Sequence, residues 1–352
     1  MLKTIILPEG LKRIGDGAFR DCASLEVVSI PSTITFIGVS AFENSQIRDI
    51  AIPSGVTELS DSTFTRCKEL QKVKIPPSGM TKIGVGAFLS CSKLLDISLP
   101  STLTSICVGA FWKCSSIRDI AIPSGVTEVA ASAFRECTNL EAISLPEGLT
   151  KIGELAFYGC PNIRDVSLPS TLTSIGRHAF VSKLIKDIAI PSGVTEIGAS
   201  AFSYCSSIIS VSLPLSLKSI GEWTFLGCES LSSVTVPRGV ASIPKRAFQN
   251  CTALLDLADS YNMTVNNYAR HGSRTAFYLF LASVKRTSPE FYNKEDLLSN
   301  IASYLNFHLR PPSPAVREML MLQQQEAGRS LSYTSHSPPV IFVPPSSRVK
   351  RS

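Results

Sequence analysis

Long apolar runs are missing from this chain of 352 residues. The longest, "TAFYLFLASV" at 275–284, is half of the roughly 20 residues that span a bilayer. The opening "MLKTIILPEG" has one lysine and a short apolar run, and no secretory signal stands out. The chain therefore reads as soluble and cytoplasmic, with no transmembrane segment. Histidine is scarce: His178, His271, His308 and His336 are the only four. None shares a spacing with Cys, Asp or Ser that would form a triad or a ligand set. There is no CxxC, phosphate-binding loop, dinucleotide fingerprint or HExxH. These absences predict no enzyme, no metal and no cofactor, and leave His178 as a solvated residue in a variable position. Charge of one sign is also lacking over 1–259, where 23 Lys and Arg face 23 Asp and Glu. That region has no electrostatic footprint for nucleic acid or an anionic membrane. The formal charge of +6 comes entirely from residues 260–352, with 11 Lys and Arg against 5 Asp and Glu.

What is abundant is repetition. "IRDIAIPSGVTE" at 47–58 returns unchanged at 117–128, and again at 185–196 with only Lys186 altered. Phenylalanine recurs at Phe19, Phe42, Phe64, Phe88, Phe111, Phe134, Phe157, Phe180, Phe202, Phe225 and Phe248, always 22–24 residues apart. Each unit runs apolar-x-x-Ile-x-Ile-Pro, a turn, Leu/Val-Thr-x-Ile-Gly, then Ala-Phe-x-x-Cys. Eleven such units predict a solenoid. The turn after proline changes with a period of three units, so the identical strings are equivalent members of a triplicated block. A reaction needs different residues converging on one pocket, whereas stacking needs the same residue in every layer.

Within a unit, Ile97 and Leu99 alternate with Asp96 and Ser98, a strand pattern that proline ends. A second short strand follows, and "AFxxC" reads as one helical or 3₁₀ turn. About six apolar side chains per unit are too few to fold alone, so the units share an interior. The glycine after the second strand gives way to Ser60, Cys107, Ala130 and Pro244. A position requiring positive φ would not accept these, so those glycines relieve crowding between coils.

These columns resemble the BspA-type leucine-rich repeat over about residues 2–257. The resemblance implies a right-handed solenoid of parallel strands without catalytic residues. It also implies kinship with bacterial and protist surface proteins that bind host proteins and mediate adhesion.

Nine of the ten cysteines stand three residues after a repeat phenylalanine. They read as a column of small buried hydrophobes. Disulfides between coils are geometrically conceivable but disfavoured in a reducing compartment. On the strand face, Asp49, Asp96, Asp119, Asp165, Asp187 and Asp256 form one column. A second holds mostly Ser and Ala, including Ala51, Ser98, Ala121 and Ser144. Arg48, Arg118, Arg164 and Lys186 precede the aspartates and are positioned to offset their repulsion. Besides a solvated face, this arrangement offers a protein-docking surface, with Asp49, Asp96, Asp119, Asp165, Asp187, Arg118 and Arg164 as its candidates.

Past Cys251 the repeat fades. Residues 258–328 show helical spacing, with Leu297, Leu298, Ile301, Tyr304 and Leu305 on one stripe, and read as a cap or a recruiting module. Residues 329–352 are Ser- and Pro-rich and read as a disordered basic tail. The whole is expected to be a protein-binding scaffold with a partner of unstated identity. The alternatives are an adhesin whose export signal lies upstream of Met1, and an adaptor whose carboxy-terminal helices recruit a second protein.

Overall fold

A computed structural model describes residues 3–254 apart from 236–239, 241, 242 and 245. The segments 258–328 and 329–352, and with them the expected cap, recruiting helix and tail, lie outside the described residues, as does Asp256. The described residues build a parallel-stranded β-solenoid of about ten turns, carrying 21 strands of two or three residues each. Strands alternate between two faces. On the first face they run from Thr4–Ile6 to Ser233–Thr235, and on the second from Arg13–Ile14 to Ser219–Ile220. Every pairing is parallel, and partners lie one repeat apart, as in Thr4↔Val27 and Ile152↔Ile175.

The repeat period builds the core directly. Most three-residue strands of the first face are exposed–buried–exposed, so Ile50, Val73, Ile120 and Ile143 point inward. Between the sheets run eleven phenylalanines, Phe42 to Phe248 no more than 1% exposed. Successive rings lie 5.2–5.6 Å apart and within 16° of parallel. This spacing is set by the backbone, because coils held at strand distance leave identical rings no other orientation. Each buried ring contributes about 1.5–3 kcal/mol by desolvation, with stacking added.

The expected helical turn at "AFxxC" is not what forms. Among the described residues, helix is confined to 252–254. The residues two before and two after most of the phenylalanines instead adopt left-handed backbone, including Leu155, His178, Lys113, Glu136 and Tyr204 at φ 51–63°. This conformation is uncommon for residues bearing a Cβ. What offsets it is a third hydrogen-bond ladder. Leu155 N–H donates to Arg177 O at 2.8 Å, Phe157 to Ala179 O at 2.9 Å, and Lys113 to Arg135 O at 2.8 Å. A helical turn would aim these groups along its own axis and leave the next coil's carbonyls unpaired.

The second-strand glycines behave as crowding relief. Gly176 has ordinary φ, and a Cβ there would sit 2.6 Å from Glu154 N. Gly198 and Gly221 are tighter still, at 2.5 and 2.2 Å from the backbone of the preceding coil. Gly15, in the first coil, has nothing within 4 Å. Gly176→Ala is therefore expected to lower stability by roughly 1–3 kcal/mol. Gly15→Ala is expected to be neutral or to add up to about 1 kcal/mol. Phe134→Ala, which opens a cavity in mid-stack, is expected to cost roughly 3–5 kcal/mol. Denaturant midpoints of the three variants check all of this.

Candidate functional site

The thiol column is buried, and it is more than apolar filling. Cys91, Cys114, Cys137 and Cys160 each donate Sγ–H to the carbonyl of the preceding coil's phenylalanine at 3.0–3.1 Å. Cys67 does the same to Phe42 at 2.9 Å. Each thiol thus adds a second hydrogen bond to a carbonyl that already accepts the N–H three residues on, as Phe64 O does from Cys67 at 3.1 Å. The described cysteines are all free. Where the column lacks cysteine, a buried serine hydroxyl lies at or beside the position. Ser45 sits 3.4 Å from Cys67 Sγ, and Ser182 donates to Ile163 O at 2.6 Å. Burial disfavours the thiolate, raising Cys67 to about 11 and both Cys160 and Cys205 to about 12. Cys91, Cys114 and Cys137 are pushed well up for the same reason. Such thiols are neither nucleophiles nor metal ligands at neutral pH.

The candidate docking residues fall where their spacing predicts. Asp49, Asp96, Asp119 and Asp187 are exposed on the first face, beside the exposed Ala51, Ser98, Ala121, Ser144 and Ala189. Asp165 opens the strand Asp165–Val166. Arg118 and Arg164 are exposed one position earlier. The arginines do not, however, serve as counter-charges to the aspartates. Parts of their own column alternate in sign: Glu26 lies between Lys3 and Arg48, at 3.0 and 3.6 Å, and Glu141 stands between Arg118 and Arg164 in the sequence of coils, whereas Lys186 follows Arg164 directly. Lys3 holds the Glu26 carboxyl below its ordinary range. In the aspartate column the offset is Lys72, in register between Asp49 and Asp96. It forms an ion pair with Asp96 that raises the lysine's pKa.

Two coil junctions carry aspartate on both sides, Asp96 beside Asp119 and Asp165 beside Asp187. At these two places the first sheet divides, into groups of five, three and three strands. Like charges directly opposite destabilise a ladder, and the register with Lys72 or Ala142 interposed remains paired. The phenylalanine stack continues past the first junction, with Phe88 and Phe111 5.3 Å apart, so only the exposed side parts. A shallow depression of about 370 Å³ covers it, lined by Ile97, Leu99, Asp119, Ala121 and Ser144 among others. A second, of about 410 Å³, lies on the other face near Cys107 and Glu128. Both are open grooves. Among the described residues no group of three or more His, Cys, Asp or Glu is placed to hold a metal ion.

A cluster outside these candidates occupies the turn corner. The residue after each phenylalanine forms its own column, and there Trp112, Arg135 and Tyr158 follow one another. The Arg135 guanidinium lies 4.6 Å from the Trp112 ring centroid and 5.4 Å from that of Tyr158. Glu136 receives Trp112 Nε1–H at 3.3 Å and lies 3.6 Å from Lys113 Nζ. His178 meets Tyr158 edge-on at 5.8 Å. It is half-buried rather than solvated, because the left-handed turn folds its ring against the coil before. Desolvation, then the charge of Arg177, lowers its pKa. The signal for this cluster was periodic: Trp112, Arg135 and Tyr158 are spaced by 23 residues.

Residues 1–118, 76–184 and 173–297 match the family model of the BspA type leucine rich repeat region, and the chain belongs to that family. Similar solved structures include a leucine-rich repeat protein from Bacteroides ovatus, 24% identical over 71% of this chain and 85% of that one, with TM-score 0.46. The T. pallidum leucine rich repeat protein is 32% identical over 46% and 78%, with TM-score 0.44. A leucine rich cell surface protein from Faecalibacterium prausnitzii is 26% identical over 72% and 86%, with TM-score 0.36. No curated protein matches. Among the described residues, no helix is long and apolar enough to cross a membrane.

The thiols impose a pH dependence. A folded pKa of about 11–12 above an unfolded value near 8.5 favours the protonated, folded state. That stability is fully present below the unfolded pKa and is lost as pH rises toward the folded one. Denaturant midpoints are expected to fall from pH 8.5 to 11. The slope should flatten in a Cys137→Ala, Cys160→Ala double variant.

Proposed function

We propose that this chain is a non-enzymatic protein-interaction scaffold that docks a partner on the first strand face. The observation that carries the reading is the shape of that face. Small Ser and Ala side chains form an exposed central column, flanked by Asp49, Asp96, Asp119 and Asp187. The interior behind is filled by phenylalanine, isoleucine and cysteine. Solenoids of this kind present extended surfaces to partners because each coil adds the same few positions to a continuous strip. Asp165, Arg118 and Arg164 belong to the same strip by register, and the openings at the Asp–Asp junctions give it relief.

The partner is met in the cytoplasm on this reading. Support comes from the thiol ladder, which uses Sγ–H as a donor in coil after coil, a use that oxidation to disulfides would abolish. The competing reading, a surface adhesin, is separated by protease treatment of intact source cells: a pool of the chain cleaved from outside would replace the cytoplasmic assignment.

Docking is tested on a partner captured with the full chain. Asp119→Ser together with Asp165→Ser is expected to weaken its affinity about tenfold, near 1.4 kcal/mol, with an unchanged melting profile. Unchanged affinity would remove the strand face from the proposal.

A further inference from the structure

We infer that the turn corner holds a second docking site, at Trp112, Arg135 and Tyr158, which grips an acidic side chain of a protein partner. It rests on the reading that this solenoid binds protein but uses a different surface from the aspartate strip.

The corner has the composition of an interaction centre. Both tryptophans of the chain, Trp112 and Trp223, lie in its columns, as do Tyr158 and Tyr204, the tyrosines among the described residues. The central column of the strand face, by contrast, is built mostly of Ser and Ala. Trp, Tyr and Arg dominate the energetics of protein interfaces because they pair large rigid area with a polar handle. Here aromatic side chains sit under cations in two places, Arg135 on Trp112 and Tyr158, and Arg246 at 5.6 Å from Trp223.

Incompletely satisfied polar atoms lie just beneath the same spot. Among the described residues, the buried side-chain nitrogens or oxygens without a hydrogen-bond partner are Arg135 Nε and His178 Nδ1. They flank Tyr158 in neighbouring coils. Arg135 Nε lies 3.2 Å from Glu136 Oε1, off the line a hydrogen bond needs. Glu136 is engaged besides by Trp112 and Lys113. With a ring on either side at 4.6 and 5.4 Å and its buried Nε turned toward Glu136, Arg135 has its terminal Nη pair left to offer. That pair is a planar fork of N–H donors, which a carboxylate matches in two parallel bonds. Lys113, half-exposed one position on, adds charge for the same acceptor. The net charge of the chain's own residues 260–352, with 11 Lys and Arg against 5 Asp and Glu, favours an acidic partner from another protein over that segment. The occupant is therefore a segment of another protein bearing Asp or Glu beside apolar residues that pack on Trp112 and Tyr158.

The test uses the full chain and an array of synthetic octapeptides, capped at both ends, with Glu or Asp among apolar residues. A matching array carries Gln or Asn at the same places. Acidic members are expected to bind about tenfold more tightly than their amide counterparts. In a Trp223→Phe background their binding should change the fluorescence of Trp112. Arg135→Met, which keeps the stem between the rings, should abolish the preference for acid. Asp119→Ser should leave it intact, so failure here and failure of the strand-face docking are distinguishable. Equal binding of acid and amide peptides to the unaltered chain would overturn the inference, whatever Arg135→Met does to folding. So would an acidic array with no binder, or an acid preference that survives Arg135→Met.

Discussion

The structure depends on one constraint: successive coils must lie at strand distance along three sides at once. Two sides are met by parallel ladders of two or three residues, too short to hold a sheet alone. The third is met by the turn corner, where left-handed residues beside the phenylalanines direct N–H groups to the next coil. With spacing fixed this way, rings 5.2–5.6 Å apart are a consequence rather than a separate device. The glycines after the second strand follow as well, since a missing Cβ relieves the close approach of backbone to backbone at Gly176, Gly198 and Gly221.

The same spacing governs chemistry. A column of identical ionisable side chains at this distance is costly unless neutralised, buried as neutral groups, or separated. The protein shows each solution. Thiols are buried and stay protonated. Glutamate, lysine and arginine alternate along the column of Lys3, Glu26 and Arg48. Where aspartate follows aspartate the sheet parts, while the phenylalanine stack beneath the first such junction remains intact.

Much of this was legible in the linear order of residues. The unit length, the inward isoleucines, the phenylalanine and cysteine columns and the crowding role of Gly176 and its equivalents all follow from periodicity and from which substitutions a column accepts. The exposure of Asp49, Asp96, Asp119 and Asp187 follows from strand alternation. The left-handed corner was not legible. Leu155 and Lys113 carry no local preference for positive φ, and what holds them there is a hydrogen bond to a residue 22 places away. The burial of His178 was hidden for the same reason. So was the pairing of Lys72 with Asp96, which needs the register rather than the count of charges.

Taken alone, the order of residues determined a stack of equivalent coils with a shared apolar interior, because a repeat of 22–24 residues with too few apolar side chains per unit has no other way to leave water. The tertiary structure decided which side chains meet across coils: Arg135 between Trp112 and Tyr158, thiols on phenylalanine carbonyls, Lys72 on Asp96. Those contacts depend on register to within one residue and on backbone conformations that only neighbouring coils stabilise.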